Sequence, residues 1–302
     1  MASTLTIGTR GSQLALAQTH LVRRLLLDLH PGLEVRVEVL QTKGDVTRGP
    51  LRAVGGEGVF TRELEHALLN SRIDLAVHSL KDLPTATHPD LALAATPQRE
   101  DVRDVLVSRN DAGLWELPPA ALVGTGSLRR QAQLKSLRPD LRFVEIRGNL
   151  DTRIRKVEAG DCDAVVLAAA GLHRLGWRDR ISAYLDRGQV LPAVGQAALG
   201  LQMRAGDPLV PLVRSLDHAP TSAAVTAERS FLAHLGGGCQ APIAAWGRQE
   251  EGVLRLDGVV GRPDGSRLLR AAAEGSSADP GGLGARLAAE MIQLGAEALL
   301  AE

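Results

Sequence analysis

Arginines follow several strand-like segments of this chain, each near a turn that also carries glycine and a serine or asparagine. Arg129 and Arg130 come directly after Gly126-Ser127 and Leu128, in the first turn of a helix-like segment. There the helix dipole disfavours each positive charge by about 0.3 kcal/mol or more. A bound anion would reverse that sign, because backbone N–H groups and guanidinium groups would then converge on the same oxygens. The arrangement predicts recognition of carboxylate or phosphate groups.

Further arginines occupy equivalent places. Arg10 precedes Ser12 after the first strand-like segment, and Arg147 precedes Gly148-Asn149, with Arg153 about one turn further on. Ligands of open α/β sheets bind at the carboxyl ends of the strands, so five arginines at this topological position predict an anion site. Taken singly, each is more often a solvated surface residue, and that alternative stays open.

The turns themselves resemble one another. Ser12 and Ser127 each follow a strand-like segment, a Gly-Thr pair and a further glycine. A serine in that place can cap a helix whose free N–H groups point towards the strand end. Two such helix ends facing each other would form a cleft between domains, although short Gly-Ser turns also recur by chance.

Ionisable side chains follow a third apolar segment, residues 73–78. His78, Lys81 and Asp82 lie within a few residues of its end, which predicts a polar group at a strand end. Such a trio can be a catalytic set, and it is more often a salt-bridge network in a loop. The residues alone do not decide between these.

The chain has two cysteines, in different settings. Cys239 follows Gly236-Gly237-Gly238, where backbone donors could lower the pKa of an accessible thiol. A free cysteine is more often a sequestered small hydrophobe. Cys162 is expected to have no chemical role.

The elements that position these residues alternate between strand and helix over the first two thirds of the chain. Apolar residues recur at helical spacing from Leu14 to Leu29, and Val35, Val37 and Val39 alternate with charged residues as in a strand with one wet face. Such alternation predicts α/β layers. A second α/β region follows, with strands at residues 122–125, 141–146 and 164–169 and helices at 128–137 and 150–159.

The last part of the chain has a different pattern. A helix at residues 222–235, strands divided by the turn Arg262-Pro263-Asp264-Gly265 and a closing helix at residues 282–300 predict a small α+β domain. We therefore expect three domains: residues 1–98 plus 197–216, residues 99–196, and residues 217–302. The hydrophilic residues 98–104 and the stretch 191–195 are the expected crossings between the first two.

Composition excludes several classes. The 35 basic and 35 acidic residues leave no net charge, which argues against a nucleic-acid binder that works through bulk charge. Two cysteines are too few for a disulfide framework, and their flanks carry no metal-ligand spacing. No apolar run reaches the ~18 residues of a membrane span, and no leader-like start is present. We expect a cytoplasmic protein without metal, membrane or nucleic acid.

Eight blocks of the sequence carry a resemblance to a known family. They are TRGSQLAL (9–16), VGGEGVFTRELE (54–65), DLAVHSLKDLP (74–84), VGTGSLRRQAQL (123–134), RGNLDTR (147–153), LAAAGLHRLG (167–176), LPAVGQ (191–196) and GGGCQAPI (236–243). Together they resemble one enzyme family, the porphobilinogen deaminases (hydroxymethylbilane synthases). The blocks span nearly the whole chain in the family's order, and it is the set rather than any single block that is specific.

The resemblance implies two domains like those of type II periplasmic binding proteins, followed by a small α+β domain. It implies a dipyrromethane cofactor, made from the enzyme's own substrate and held by a thioether to Cys239. Four porphobilinogen molecules would lose ammonia and be joined head to tail, and water would release the linear tetrapyrrole hydroxymethylbilane. The enzyme would act as a monomer.

It also implies roles for the residues singled out above. Asp82 matches the catalytic carboxylate, which would stabilise the cations formed when ammonia leaves and when rings join, and would assist proton transfer. Each pyrrole carries an acetate and a propionate, so the growing chain is a polyanion that needs several forked cations. Arg10 is assigned both to catalysis and to substrate binding. The remaining matches are Ser12, Arg147 and Arg153 for substrate and Lys81, Ser127, Arg129 and Arg130 for cofactor.

Two departures from the family pattern bear on these roles. Ala53 and Glu57 stand where lysines are expected near a double glycine, so contacts of this loop with a polyanion are in doubt unless Arg52 compensates. Gly126 stands where a serine is common, which removes one possible donor.

Two other classes remain as alternatives. A non-catalytic binding protein of the same architecture would keep the cleft and the anion sites, but it would have no use for Asp82 or Cys239 and would normally carry an export signal. A phosphosugar or nucleotide enzyme is the second, although no GxxxxGK[ST] stretch is present and Gly-Thr-Gly-Ser-Leu is a weak dinucleotide motif. Release of ammonia from porphobilinogen would discriminate among the three.

Overall fold

The computed structural model describes residues 4–41, 61–238 and 241–301. In these ranges the strands are β1 (Thr4–Arg10), β2 (Glu34–Leu40), β3 (Leu75–Ser79), β4 (Leu91–Ala95), β5 (Asp104–Ser108), β6 (Leu122–Gly124), β7 (Arg142–Val144), β8 (Ala164–Ala168), β9 (Ala183–Tyr184), β10 (Leu199–Arg204), β11 (Ile243–Glu250), β12 (Val253–Gly261) and β13 (Leu268–Gly275). The helices are α1 (Gln13–Leu29), α2 (Arg62–Leu69), α3 (Leu128–Leu137), α4 (Leu150–Glu158), α5 (Ala169–Arg174), α6 (Val210–Arg214), α7 (Ala219–His234), α8 (Pro280–Gln293) and α9 (Ala296–Leu300).

The first sheet has the order β2-β1-β3-β10-β4. β1 pairs in parallel with β2 and β3, and β10 pairs antiparallel with β3 and β4. Leu5 and Ile7 of β1 and Leu75 of β3 are fully buried in its core. The carboxyl ends of β1 and β3 therefore lie next to each other at one edge of the sheet.

The second sheet, β7-β6-β8-β5-β9, repeats this order. β6 pairs in parallel with β7 and β8, and β5 pairs antiparallel with β8 and β9. If only the mutually parallel strands of each sheet are counted along the chain, both sheets have the order second, first, third, then the antiparallel strand, then fourth. This is the topology of type II periplasmic-binding-protein domains, and it confirms the α/β fold class expected for these two regions.

The third sheet is the antiparallel array β11-β12-β13, and with α7 and α8 it forms the expected small α+β region. Phe231 of α7 and Leu287 of α8 are fully buried in its core. The prediction of one closing helix is wrong in detail, because α8 ends before Gly295 and a separate helix, α9, follows it. Gly295 has φ +96°, a left-handed conformation that glycine adopts without a side-chain clash and that ends a helix.

The chain divides into two compact units, Met1–Arg99 with Ala198–Ser222 and Glu100–Ala197 with Ala223–Glu302. The first passage between them lies inside the expected crossing of residues 98–104, and the second lies shortly after residue 195. The third sheet belongs to the second unit. The separate third domain, residues 217–302, and the other domain bounds stay a prediction.

Strand β2, which was expected to have one solvent-exposed face, differs in one respect from the pattern predicted by its sequence. Val35 is buried as the alternation predicts, but Val39 is 52% exposed and Leu40 is buried instead. The alternation therefore fails in the last two residues of β2.

Candidate active site

The first group of candidate residues lies at the carboxyl ends of β1 and β3. Arg10 is the last residue of β1, and the hydroxyl of Ser12 accepts a hydrogen bond from the Ala15 N–H, 3.3 Å away, as the expected N-cap of α1. Lys81 and Asp82 form a short 3₁₀ turn directly after β3. Because β1 and β3 are parallel neighbours, the first unit carries these four residues at one sheet edge.

Asp82 points into solvent from an anchored turn. Leu80 and Leu83 on either side of it are buried, and the Leu83 N–H donates to the Leu80 carbonyl at 3.1 Å. The Asp82 side chain is exposed, and no residue in the described ranges forms a hydrogen bond or ion pair with it. The turn therefore holds this carboxylate where a ligand can reach it.

His78 does not belong to a solvent-facing trio with these two residues. It lies inside β3, 5% exposed, and its Nε2 is 3.0 Å from Oε1 of Gln202. Burial lowers the pKa of the imidazole to about 4, while the bond to Gln202 opposes that shift and the charge of Arg10 adds to it. His78 is thus neutral at pH 7.

The second group lies at the carboxyl end of β6. The Ser127 hydroxyl accepts from the Arg130 N–H at 3.4 Å and caps α3 as expected. Arg129 and Arg130 are 4% and 6% exposed and turn inward to Asp104, the first residue of β5, which is fully buried. Nη2 of Arg129 donates to Oδ2 of Asp104 and Nη2 of Arg130 donates to Oδ1, both at 2.7 Å.

Asp104 is held as a carboxylate by this arrangement. Burial alone would raise its pKa, but the charges of Arg129 and Arg130, with hydrogen bonds from Arg130 and Gln196, outweigh burial and hold the pKa well below its usual range. The amide of Gln196 donates to Oδ1 at 2.8 Å. Backbone carbonyls complete the cluster, since Nη1 of Arg129 donates to Leu191 and Nη1 of Arg130 donates to Val166.

The sequence patterns do not single out Asp104 or Gln196 as site residues. Asp104 falls in the hydrophilic crossing of residues 98–104, although it directly precedes the apolar run Val105-Leu106-Val107 and therefore opens a buried strand. A carboxylate at that position needs a cationic partner, which was the signal available. Gln196 was present in the block LPAVGQ without an assigned role.

The arginine pair keeps unused hydrogen-bonding capacity. Within the described residues its two guanidinium groups form ion pairs with one carboxylate, that of Asp104, and Nε of each arginine is buried without a hydrogen-bond partner. A buried N–H without an acceptor destabilises a site, and an anionic ligand supplies acceptors. The pair therefore fits a group that carries carboxylates.

The third group lies beyond β7. Arg147 is partly buried, and its Nε donates to Oε1 of Glu145 at 2.9 Å. Nε of Arg153 on α4 donates to the Gly148 carbonyl at 2.8 Å. Because β6 and β7 are parallel neighbours, Arg147 and the arginine pair occupy the same edge of the second sheet.

Another arginine of the second unit, Arg174, is not singled out by the sequence patterns. Arg174 ends α5, which follows β8, and its Nη2 donates to the Ala197 carbonyl at 2.6 Å. Burial lowers the pKa of this guanidinium to about 10, and the charge of Glu100 acts in the opposite direction. Arg174 remains a cation at neutral pH.

Several residues singled out from the sequence lie outside these three groups. Cys239 and the loop residues Arg52, Ala53 and Glu57 lie outside the described residues. Cys162 is 2% exposed, and burial followed by the nearby charges of Asp161 and Asp163 raises the pKa of its thiol. Over residues 4–41, 61–238 and 241–301 no cluster of metal-ligating side chains occurs, and no helix is long and apolar enough to span a membrane.

Fold and site together define a class of α/β protein in which two periplasmic-binding-protein-like sheets carry cationic side chains at their strand ends. Two family models match the chain: "Porphobilinogen deaminase, dipyromethane cofactor binding domain" at residues 5–211 and "Porphobilinogen deaminase, C-terminal domain" at residues 222–293. The chain belongs to the porphobilinogen deaminase family. This family is the enzyme hydroxymethylbilane synthase of tetrapyrrole biosynthesis, which confirms the predicted family, enzyme and dipyrromethane cofactor.

Individual relatives agree over the full length. The porphobilinogen deaminase of Roseiflexus castenholzii is 50% identical over 303 residues, covering 100% of both chains. That of Thermus thermophilus is 46% identical over 298 residues, covering 98% of each. The BenM effector-binding domain, solved with its effector benzoate, matches 78% of this chain and 94% of its own at 12% identity with a TM-score of 0.43. A score this low bears on neither fold nor function, and the fold class rests on the strand order.

Proposed function

We propose that the chain deaminates four porphobilinogen molecules, joins them head to tail and releases hydroxymethylbilane by hydrolysis, with its dipyrromethane attached to Cys239. When bound, the dipyrromethane supplies the pyrrole to which the first substrate unit is joined. Cys239 is the proposed attachment residue because it lies in the glycine-rich block of the family resemblance, whereas Cys162 is buried with a raised thiol pKa.

Arg129 and Arg130 hold carboxylates of the cofactor in this proposal, with Ser127 and Lys81 as further donors. The supporting observation is that, among the residues the structure describes, the arginine pair has one carboxylate partner and two buried Nε atoms without acceptors. Ser127 fixes the first turn of α3, so the guanidinium groups start from a rigid backbone. Asp104 balances one of the two guanidinium charges, so a ligand carboxylate would supply both the missing acceptors and the second negative charge.

Substrate carboxylates are assigned to Arg10, Ser12, Arg147 and Arg153. These side chains are partly exposed at strand ends, unlike the buried pair. A ligand that enters and leaves repeatedly needs cations with access to solvent, and an exposed ion pair such as Arg147 with Glu145 is exchanged at little cost. The difference in burial supports a division between cofactor and substrate arginines.

Asp82 is assigned the proton transfers, with Arg10 at the neighbouring strand end as the second catalytic residue. Loss of ammonia leaves positive charge on the substrate, and the joined ring must then lose a proton from carbon. An ionised carboxylate on a fixed turn stabilises the charge and accepts the proton. The solvent-facing position of Asp82, with no hydrogen bond from any described residue, leaves it available for that contact.

Intact-mass measurement tests the attachment. Protein isolated from a host that makes porphobilinogen should exceed the sequence mass by two linked pyrrole units, and Cys239→Ser should lack the increment. Cys162→Ser is the matched control and should keep it. An adduct mapped to Cys162, or none on a protein that releases ammonia from porphobilinogen, would contradict the assignment.

The chain is further proposed to act as a monomer in the cytoplasm, without nucleic acid or membrane. The balance of 35 basic and 35 acidic residues supports the absence of nucleic-acid binding through bulk charge. Sedimentation at increasing concentration measures the oligomeric state, and a dimer that persists on dilution would overturn that part.

A further inference from the structure

A buried carboxyl group lies on α7, far along the chain from the arginine pair. Glu228 is fully buried, and each of its two oxygens accepts a backbone hydrogen bond. Oε2 accepts from the Gly195 N–H and Oε1 accepts from the Gly247 N–H, both at 2.7 Å. A carboxyl group in the interior of a protein is rare unless its oxygens are satisfied in this manner.

The first of these contacts leads to the arginine pair. Gly195 belongs to the segment of residues 191–196, whose two ends both bind the cluster around Asp104. At one end the Leu191 carbonyl accepts from Arg129 and from Gln133. At the other end Gln196 donates to Asp104. Glu228 thus binds a segment that contacts Arg129 at one end and Asp104 at the other.

The second contact, between Glu228 and Gly247, joins the two elements that precede and follow the cysteine-bearing block in sequence. Glu228 lies on α7, which ends at His234 shortly before Cys239 in sequence, and Gly247 lies on β11, the strand that follows that block. A Cβ atom at Gly247 would stand 2.6 Å from the Ala224 carbonyl of α7. Glycine is therefore required for the close approach that brings this N–H to Glu228.

We propose that Glu228 is a positioning residue for the cofactor. It fastens α7 and β11, the two elements that flank the cysteine block in sequence, to the segment that holds Arg129 and Asp104, so α7 and β11 keep a fixed spacing from the carboxylate-binding arginines. In this role Glu228 acts on the backbone of Gly195 and Gly247. The inference rests on the proposed attachment at Cys239 and on the proposed role of Arg129 and Arg130.

Glu228→Gln separates this role from a general contribution to stability. An amide has one oxygen and one NH₂ group, so either Gly195 or Gly247 must place its N–H against a donor. We expect apoprotein of this variant, made in a host without porphobilinogen, to gain the cofactor mass about tenfold more slowly than the unmodified chain, as for the loss of one buried hydrogen bond to a charged group. The rise in melting temperature on cofactor loading should fall to less than half.

Asp163→Asn is the matched control. Oδ2 of Asp163 likewise accepts a backbone hydrogen bond, from Leu122 at 2.8 Å, but at the amino end of β8, opposite the arginine pair. It should lower the melting temperatures of apoprotein and loaded protein equally and leave the loading rate unchanged. If Glu228→Gln behaves in the same way, Glu228 is merely structural and the proposal is wrong.

A second variant covers the case in which Glu228→Gln does not fold. Gln196→Leu removes the hydrogen bond that the segment of residues 191–196 donates to Asp104. This variant should also load cofactor slowly, and normal loading would overturn the proposal.

Arg129→Leu tests the underlying assumption that the arginine pair holds the cofactor. If Arg129→Leu loads normally, the proposed arginine function fails; if it does not load while Glu228→Gln does, only the present inference fails.

Discussion

The side-chain oxygen of Gln202 on β10 lies 3.0 Å from Nε2 of His78 on the neighbouring strand β3. A second hydrogen bond sets the orientation of the Gln202 amide, because Nε2 of Gln202 donates to Oε1 of Glu65 at 3.0 Å. The oxygen must therefore face the imidazole, and the proton of neutral His78 must be on Nε2. Two hydrogen bonds in series, from His78 to Gln202 and from Gln202 to Glu65, thus hold a neutral histidine inside the first sheet. This histidine lies close to the turn that carries Asp82.

This neutral histidine predicts acid sensitivity. The pKa of His78 falls from 6.5 to about 4 on folding, so between these values the unfolded chain binds a proton that the folded chain excludes. Stability present above pH 6.5 should be lost as the pH falls towards 4, by about 3 kcal/mol in total. Urea unfolding at pH 7, 5.5 and 4.5 measures the loss, and His78→Gln should flatten the profile over this range.

His20 on α1 provides the control, since its side chain is exposed. His20→Gln should leave the steepness of the acid profile unchanged. An acid profile that stays equally steep in His78→Gln would assign the proton uptake to another group.

Asp104→Asn should destabilise the second unit strongly. The change keeps the shape of the side chain and leaves two buried arginines without their carboxylate, and removing one partner of a buried ion pair costs about 3 to 5 kcal/mol. Glu158→Gln is the comparison, because its pair with Arg180 is largely exposed and should contribute within about 1 kcal/mol. Equal unfolding midpoints in urea for the two variants would show that the Asp104 cluster contributes no more than a surface pair.

Substitutions of the candidate arginines should fall into two groups, those that prevent cofactor loading and those that slow elongation. Arg129→Leu and Arg130→Leu are expected to give folded protein without cofactor, and Arg10→Leu and Arg147→Leu to give loaded protein that elongates slowly. Loss of a charge-assisted contact costs roughly 1.5 to 3 kcal/mol, or about tenfold or more in binding. Intact mass measures loading, product formation measures elongation, and circular dichroism confirms folding. Full loading and normal turnover in all four would refute the assignment.

Asp82→Asn should abolish most activity without affecting stability. The carboxylate is exposed and bonded to no described residue, so its replacement should leave the melting temperature unchanged. Loss of general acid–base help slows catalysis about a hundredfold to ten-thousandfold. Asp82→Glu keeps the charge and should keep cofactor and part of the rate. Single-turnover ammonia release is the measurement, and a rate within tenfold of the unmodified enzyme for loaded Asp82→Asn would point to another carboxylate.

Local sequence patterns predicted the elements well where one signal dominated. Ser12 and Ser127 cap their helices as expected, and α3 spans the expected residues 128–137. The patterns failed where tertiary packing decided. Val39 is exposed despite the alternation, and the break at Gly295 depends on a backbone conformation that helical periodicity does not report.

The candidate site was predictable in its cations and not in their internal partners. Arg129 and Arg130 were found because positive charge at a helix start is locally unfavourable. Asp104 balances one of the two charges from a strand distant in sequence, and no local pattern records that pairing. The same holds for Glu228, whose acceptors serve backbone groups in two other segments.

The place of β10 between β3 and β4 determines when the first sheet can close during synthesis. β10 is translated after every strand of the second sheet, and roughly 100 residues separate it from β4, which at about 5 to 20 residues per second delays it by about 5 to 20 s. Until then β3 and β4 each expose an unpaired edge, the kind of surface on which nascent chains aggregate. The first sheet therefore begins to leave the ribosome before the second sheet, yet it can close only after all five strands of the second sheet have been made.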